Sequence, residues 1–416
     1  MKRRNQLLAL FCLLVFAGLG VLYFQHWVVQ KPFGIVLFIG EGLTPARLAA
    51  TRIFSVGAED HLSVDLMPHV ALLSNYSIDF ATPDQPAAAA ALATGRRANN
   101  RSFGIDAEGN NVDNLIELAH RAGRATGIVA DVKLTNLTAA AFYAHGSANT
   151  SAANLAGDLI GHEIVDVALG GGAEDFLPQS KGGQRNDGRD LLLELRRNGF
   201  DLVRTRAELE AIPRWRRPKI IGLFDDRDLA FADQVEARSE QPTLSDLVRR
   251  AIELLQFNRG GYLLVVDGGL MRKAAEDNNA QRTLAHTVEI DHAIATARRY
   301  VGDSSAVIVC GDAGIGGLTL SGAPFLKDTG IAVLGVNSAG APWFTWATGP
   351  NAKKTLAPGQ SGLVSPENGT TVPDENRKES EEPAASHASA ALRTAEDAVA
   401  FGSGPRTEAL HGSMHA

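Results

Sequence analysis

Six short apolar runs, separated by segments of helical periodicity, leave this chain few architectures to fold into. GIVLFIG (34–40), TGIVA (126–130), VDVALGGG (165–172), YLLVVDGG (262–269), AVIVCGD (306–312) and WFTWATG (343–349) are too continuously apolar for strands with one wet face and read as buried strands. Between them DNLIELAHRAG (113–123), NLAGDLIG (154–161), SDLVRRAIELLQF (245–257) and AHTVEIDHAIATARRYV (285–301) repeat at helical spacing. Strands buried on both faces and alternating with helices imply a mainly parallel α/β sheet covered by helices on either side.

The chain has 416 residues, 45% of them hydrophobic and 21% charged, enough to bury a large core. Its net charge of −7 is spread without a basic stripe, which argues against nucleic acid as a partner. Residues 1–30 fall outside the globular pattern. A Lys-Arg-Arg start precedes an apolar run from Leu7 to Phe24, long enough to cross a membrane, and Tyr23 and Trp27 sit where interfacial aromatics belong. With no small-residue cleavage site after it, the run is expected to be an uncleaved anchor with Lys2 to Arg4 cytoplasmic and the body periplasmic or extracellular; a cleaved signal peptide is the alternative. Cys12 in that run and Cys310 in a core strand are not placed to form a disulfide. Residues 351–390, rich in Pro, Ser, Glu and Asn, read as a low-complexity insertion or surface loop between the 31–350 body and its last segment, 391–416.

Three strands run directly into a carboxylate: IVLFIG into Glu41, LLVV into Asp267 and VIVCG into Asp312. Ligands of α/β sheets gather outside the carboxyl ends of the strands, so these acids either converge on a hard cation or simply meet water there.

The segments FIGEG, ATPDQPAAAAALATGRRANNRSFGID, LTNLTAAAFYAH, VDVALGGG, GLFDDRDLAF, QPTLSDLVRRAIELL, GYLLVVDGGLMRKAAEDNN, HTVEIDHAIATA, GLTLSG and RTAEDAVAFGSGP occur in an order that resembles the alkaline phosphatase family, over roughly 33–349 and 390–412. The resemblance implies a doubly wound, three-layer sheet, two zinc ions, one magnesium ion, a serine that is transiently phosphorylated, and commonly a homodimer. Carried over position by position, most of that site is missing. After Asp84 the nucleophile position holds Gln85, which has no hydroxyl or thiol to attack phosphorus. Thr82 and Ser102 lie nearby but not at the strand-to-helix corner. The first zinc site's ligands correspond to Arg272, Glu276 and Arg393, and a guanidinium has no lone pair for a metal. At the second zinc site Asp312 remains while the following histidine is Ala313; the phosphate-clamping arginine falls on Asn149.

The family's magnesium ligands map to Glu41, Asn136, Thr138 and Asp267, all oxygen donors suited to Mg²⁺ or Ca²⁺, or else to a metal-free hydrogen-bonded pocket; zinc is not expected. Arg272, Glu276 and Arg393 are expected to form one salt-bridged cluster in the emptied zinc site, leaving a pocket that draws phosphate or another anion. His120, His145, His162, His286 and His292 lack ligand spacing and read as surface or structural; a metal role for His411 and His415, in the terminal ALHGSMHA, is also not expected. The sequence thus favours a catalytically inactive, anchored binding or scaffold protein over the alternative, an active phosphomonoesterase or phosphodiesterase rebuilt around a single metal.

Overall fold

The computed structural model describes residues 2–23, 32–214, 218–234, 239–302, 304–321, 342–352 and 382–416. Its centre is a ten-stranded sheet in the order His411–His415, His69–Ser74, Ala398–Ser403, Ala306–Gly311, Gly34–Gly40, Tyr262–Gly268, Ala125–Lys133, Val167–Gly171, Ile220–Leu223, Asp201–Val203. All neighbours pair parallel except Ala398–Ser403, which runs antiparallel to both of its own. Helices flank the sheet, as the alternating sequence pattern requires. The central strand Tyr262–Gly268 is buried along its whole length, and Val36, Phe38, Val129, Leu264, Val265 and Val309 join one continuous core.

The apolar run 343–349 does not join this sheet. Phe344–Gly349 pairs instead with Leu318–Leu320 and Ala384–His387 in a separate three-stranded sheet, where Phe344 and Trp346 build a second small core with Ala275, Ala280 and Leu284. Apolarity was the same in both cases; what differs is which core the aromatic faces fill. Most of the expected insertion at 351–390, residues 353–381, lies outside the described residues.

The amino-terminal segment forms the helix Lys2–Tyr23, and within it residues 3–22 are long and apolar enough to cross a membrane. Leu7, Phe11, Leu14 and Phe16 are exposed rather than packed on the body. Trp27 lies outside the described residues. Cys12 is exposed in this helix and Cys310 buried in its strand, both as free thiols.

Candidate functional site

Three adjacent strands of the sheet deliver the three carboxylates. Glu41 follows Gly34–Gly40, Asp267 is the penultimate residue of Tyr262–Gly268, and Asp312 follows Ala306–Gly311. In-register pairing sets Ile39 opposite both Asp267 and Cys310, so Glu41 and Asp312 leave the sheet at one level and Asp267 two residues earlier, on the same face as Glu41. Asn136 and Thr138 come from the turn after Ala125–Lys133, where the short helix Leu137–Ala140 begins.

Gln85 opens the helix Gln85–Thr94. Asp84 caps this helix by accepting from the Ala87 N–H at 3.1 Å, Pro86 occupies a first-turn position that needs no donor, and Gly95 closes it at φ +68°. Ala87 to Ala91 are buried, and their small side chains let the helix pack against the short helix Leu137–Ala140, whose first turn carries Asn136 and Thr138. The Gln85 side chain points inward. Its Nε2 donates to Asn136 Oδ1 at 2.8 Å, Thr138 Oγ1 at 3.0 Å and Glu41 Oε2 at 3.1 Å. The Asn136 amide in turn donates to Glu41 Oε1 at 2.7 Å and Asp267 Oδ2 at 2.9 Å. Glu41, Asn136, Thr138 and Asp267 therefore converge, with two carboxamides knitting them together.

The cations complete the site. Arg272, on the helix Leu270–Glu276, bonds Glu41 Oε2 through Nε and Glu276 Oε1 through a terminal nitrogen at 2.6 Å, one helical turn away. Arg393 instead reaches Asp312 Oδ2 at 3.0 Å. The single cluster expected of Arg272, Glu276 and Arg393 is thus corrected to two pairings, Glu41–Arg272–Glu276 and Arg393–Asp312. The reason is non-local: the antiparallel pair Gly314–Ile315 with Arg393–Thr394 aligns Arg393 with Ile315 and so holds it at the Asp312 corner. Ala313, buried, stands between that pair and Asp312.

A third guanidinium had no sequence signal beyond its place in the helix Pro45–Ser55. Arg47 is buried, donates to the Glu41 carbonyl at 3.1 Å, and lies so close over Gly42 (φ +85°) that a Cβ there would meet its terminal nitrogen at 2.5 Å. Burial brings Arg47 down to about 10, against the pull of Asp312 and Glu396. The Gly42 N–H meanwhile donates to Asp312 Oδ1 at 2.6 Å.

Electrostatics divide the two central acids. Burial alone would raise Glu41, but the Arg272 guanidinium, with help from Asp267, Arg393 and Asn136, holds it below the usual carboxylate range. Asp267 is pushed well above that range by burial and by the Glu41 charge, so of the two acids it is the one whose environment favours the protonated form. Asp131 behaves likewise nearby: burial, then the charges of Glu289 and Glu41, push it up to about 8, while the Leu270 N–H binds its Oδ1 at 3.0 Å.

Asn149, at the clamp position, is exposed and accepts from the Arg101 guanidinium at 2.6 Å. Sequence reading missed Arg101, which returns a guanidinium to the neighbourhood the clamp would occupy; its backbone N–H binds Asp84 Oδ2 at 2.6 Å, tying it to the helix that carries Gln85. His145 is held by the Gly104 carbonyl and Glu117, and His286 is fully buried, receiving the Ala232 N–H.

The donor chemistry does not fit the family's metals. Among the described residues no group of three or more His, Cys, Asp or Glu side chains is arranged to hold a metal ion. Zinc would find neither nitrogen nor sulfur, and guanidiniums already answer Glu41 and Asp312. Where oxygen donors do converge, the Gln85 amide nitrogen sits among them.

Comparison with known proteins gives a consistent family. The alkaline phosphatase family model matches residues 34–416. The tissue-nonspecific alkaline phosphatase of Gallus gallus is 28% identical over 354 residues, covering 72% of this chain and 68% of that protein. Alkaline phosphatase 4 of Bacillus subtilis is 30% identical over 299 residues, covering 69% of this chain and 62% of that protein. Other curated relatives are covered to as little as 59% of their length, so the chain spans only about three fifths to two thirds of them. In fold, the alkaline phosphatase of the Antarctic bacterium TAB5 gives a TM-score of 0.70 at 20% identity, over 93% of this chain and 95% of that one. The Thermus thermophilus alkaline phosphatase gives 0.69 at 20%, over 93% and 89%. A variant of the TAB5 enzyme is described with Mg bound in its M3 site.

Proposed function

The chain belongs to the alkaline phosphatase family, and from that membership we propose that it is a non-catalytic member, a pseudophosphatase anchored at a membrane through residues 7–24 with its body periplasmic or extracellular, serving as an anion-binding or scaffold protein. One observation carries the reading. At the nucleophile position Gln85 offers no attacking atom, and its carboxamide nitrogen is engaged with Glu41, Asn136 and Thr138.

The remaining machinery points the same way. A phosphatase must stabilise charge developing on the transferring phosphoryl group and its leaving oxygen, which metal ions or a preorganised cationic clamp supply. Here the positive charge of Arg272 and Arg393 is spent on Glu41, Glu276 and Asp312 in hydrogen bonds of ordinary or short length. Arg101 favours the anion-binding half of the reading, because it is exposed and beside the clamp position.

The test is turnover of an aryl phosphate monoester and an aryl phosphate diester by the full-length chain in detergent, from acid to alkaline pH, with zinc, magnesium or calcium supplied. No hydrolysis above the buffer rate is expected, while inorganic phosphate should bind and Arg101→Ala should weaken it. Turnover that is abolished by Glu41→Ala would replace this reading with the alternative, a phosphomonoesterase or phosphodiesterase rebuilt around one metal.

A further inference from the structure

We propose that the Gln85 carboxamide is a covalently tethered substitute for the hard cation of this fold, so that Gln85 and a divalent metal are mutually exclusive at one point of the site. The juxtaposition is specific. Three oxygens from two separate segments, Glu41 Oε2 from one and Asn136 Oδ1 and Thr138 Oγ1 from the other, surround one nitrogen at 3.1, 2.8 and 3.0 Å. The Arg272 guanidinium already donates to two of these oxygens, to Glu41 Oε2 through Nε and to Asn136 Oδ1 at 3.4 Å, and the neutral Gln85 carboxamide adds two further hydrogens from a single atom.

The polarity of the network is consistent throughout. Asn136 gives both its hydrogens to the carboxyl oxygens of Glu41 and Asp267, which fixes its carbonyl oxygen towards Gln85. Gln85 must then present its nitrogen, since its oxygen would face three acceptors. The amide brings no charge to this ring, and the Arg272 guanidinium already answers Glu41. Distances complete the argument: Mg²⁺ holds oxygens at about 2.1 Å and Ca²⁺ at about 2.3–2.6 Å, so the ring around Gln85 is spread to hydrogen-bond length and no ion can share it with the nitrogen.

A single side chain thereby removes the nucleophile and closes the oxygen-lined cation position. This rests on the non-catalytic reading only for the assignment of Gln85. It predicts something that reading does not: that cation affinity is latent and is released when Gln85 is shortened.

The experiment titrates Mn²⁺ into the full-length chain in detergent, by calorimetry and by loss of the free Mn²⁺ paramagnetic signal, with Mg²⁺ followed by thermal unfolding. The parent should show no saturable Mn²⁺ uptake and no Mg²⁺-dependent rise in Tm. Gln85→Ala should take up one Mn²⁺ per chain, at least about tenfold tighter than the parent, and its Tm should rise with Mg²⁺; adding Glu41→Gln should abolish the uptake. Should Gln85→Ala fail to fold without metal, Gln85→Glu, which places an oxygen among oxygens, must recover cooperative unfolding when Mn²⁺ is added. A parent that binds Mn²⁺ as tightly as Gln85→Ala, a folded Gln85→Ala that binds none, or a Gln85→Glu chain indifferent to Mn²⁺ overturns the proposal. Phosphate ester turnover by a parent that still excludes Mn²⁺ would sink the non-catalytic reading and leave this one standing.

Discussion

Arg272→Met should destabilise the protein in a way that depends on pH, and the dependence identifies its cause. The substitution keeps most of the apolar stem but removes the guanidinium that bonds Glu41 and Glu276. Glu276 is 34% exposed and returns to water at little cost, whereas Glu41 is completely buried and has nowhere to go. Removing one partner of a buried ion pair typically costs about 3–5 kcal/mol. Protonation caps the loss: a carboxyl with an ordinary value of 4.5 takes up a proton at pH 7 for about 3.4 kcal/mol, at about 1.36 kcal/mol per unit. At pH 5 the same cap is about 0.7 kcal/mol. In the variant the folded value of Glu41 lies above its unfolded one, so stability is retained at low pH and lost as pH rises. The parent, with Glu41 held low, follows the opposite sense at this residue. Urea unfolding of parent and variant at pH 5 and pH 7, followed by circular dichroism, should therefore give a difference of about 3 kcal/mol at pH 7 that falls below about 1 kcal/mol at pH 5. Glu276→Gln should cost no more than about 1 kcal/mol at either pH. An Arg272→Met penalty unchanged between the two pH values, or one no larger than that of Glu276→Gln, refutes the assignment of Arg272 as the counter-ion of Glu41.

Asp131, held up to about 8 by burial, binds a proton in the folded chain that the unfolded chain releases near 4, so it makes the parent lose stability as pH rises from about 5 to 8. Asp131→Asn should flatten that part of the Tm–pH curve, and a curve parallel to the parent's would exclude Asp131 as its source. Arg393→Met should destabilise mainly through Asp312, and because the Arg393 charge also lowers Glu41, the double variant with Arg272→Met should depart from additivity by at least about 0.5 kcal/mol in urea unfolding; strict additivity would confine Arg393 to Asp312. Alkaline carbonate washing should leave the full chain in the membrane pellet, and deletion of residues 2–23 should release it to the supernatant; release of a chain shortened at its amino terminus would favour a cleaved leader.

The carboxyl-terminal strand ends were legible because buried parallel strands are written as unbroken apolar runs, and the first polar residue after each run marks where the sheet delivers its side chains. Glu41, Asp267 and Asp312 needed nothing more than that pattern and the adjacency of their strands. That Gln85 itself carries no attacking atom was equally plain, being a matter of which atoms the side chain contains. Its inward direction was not plain, since a residue in the first turn of a helix can face either solvent or sheet, and only the convergence of three acceptors from segments 44 to 53 residues away selects the latter. Pairing of Arg393 failed for the same physical reason. Charge balance suggested Glu276, but partner choice was decided by the register of a two-residue strand pair, which places Arg393 opposite Ile315 and hence beside Asp312, 81 residues away. Local composition states which charges must be neutralised in a buried site. Backbone register states by whom, and it can be read only after the sheet has formed.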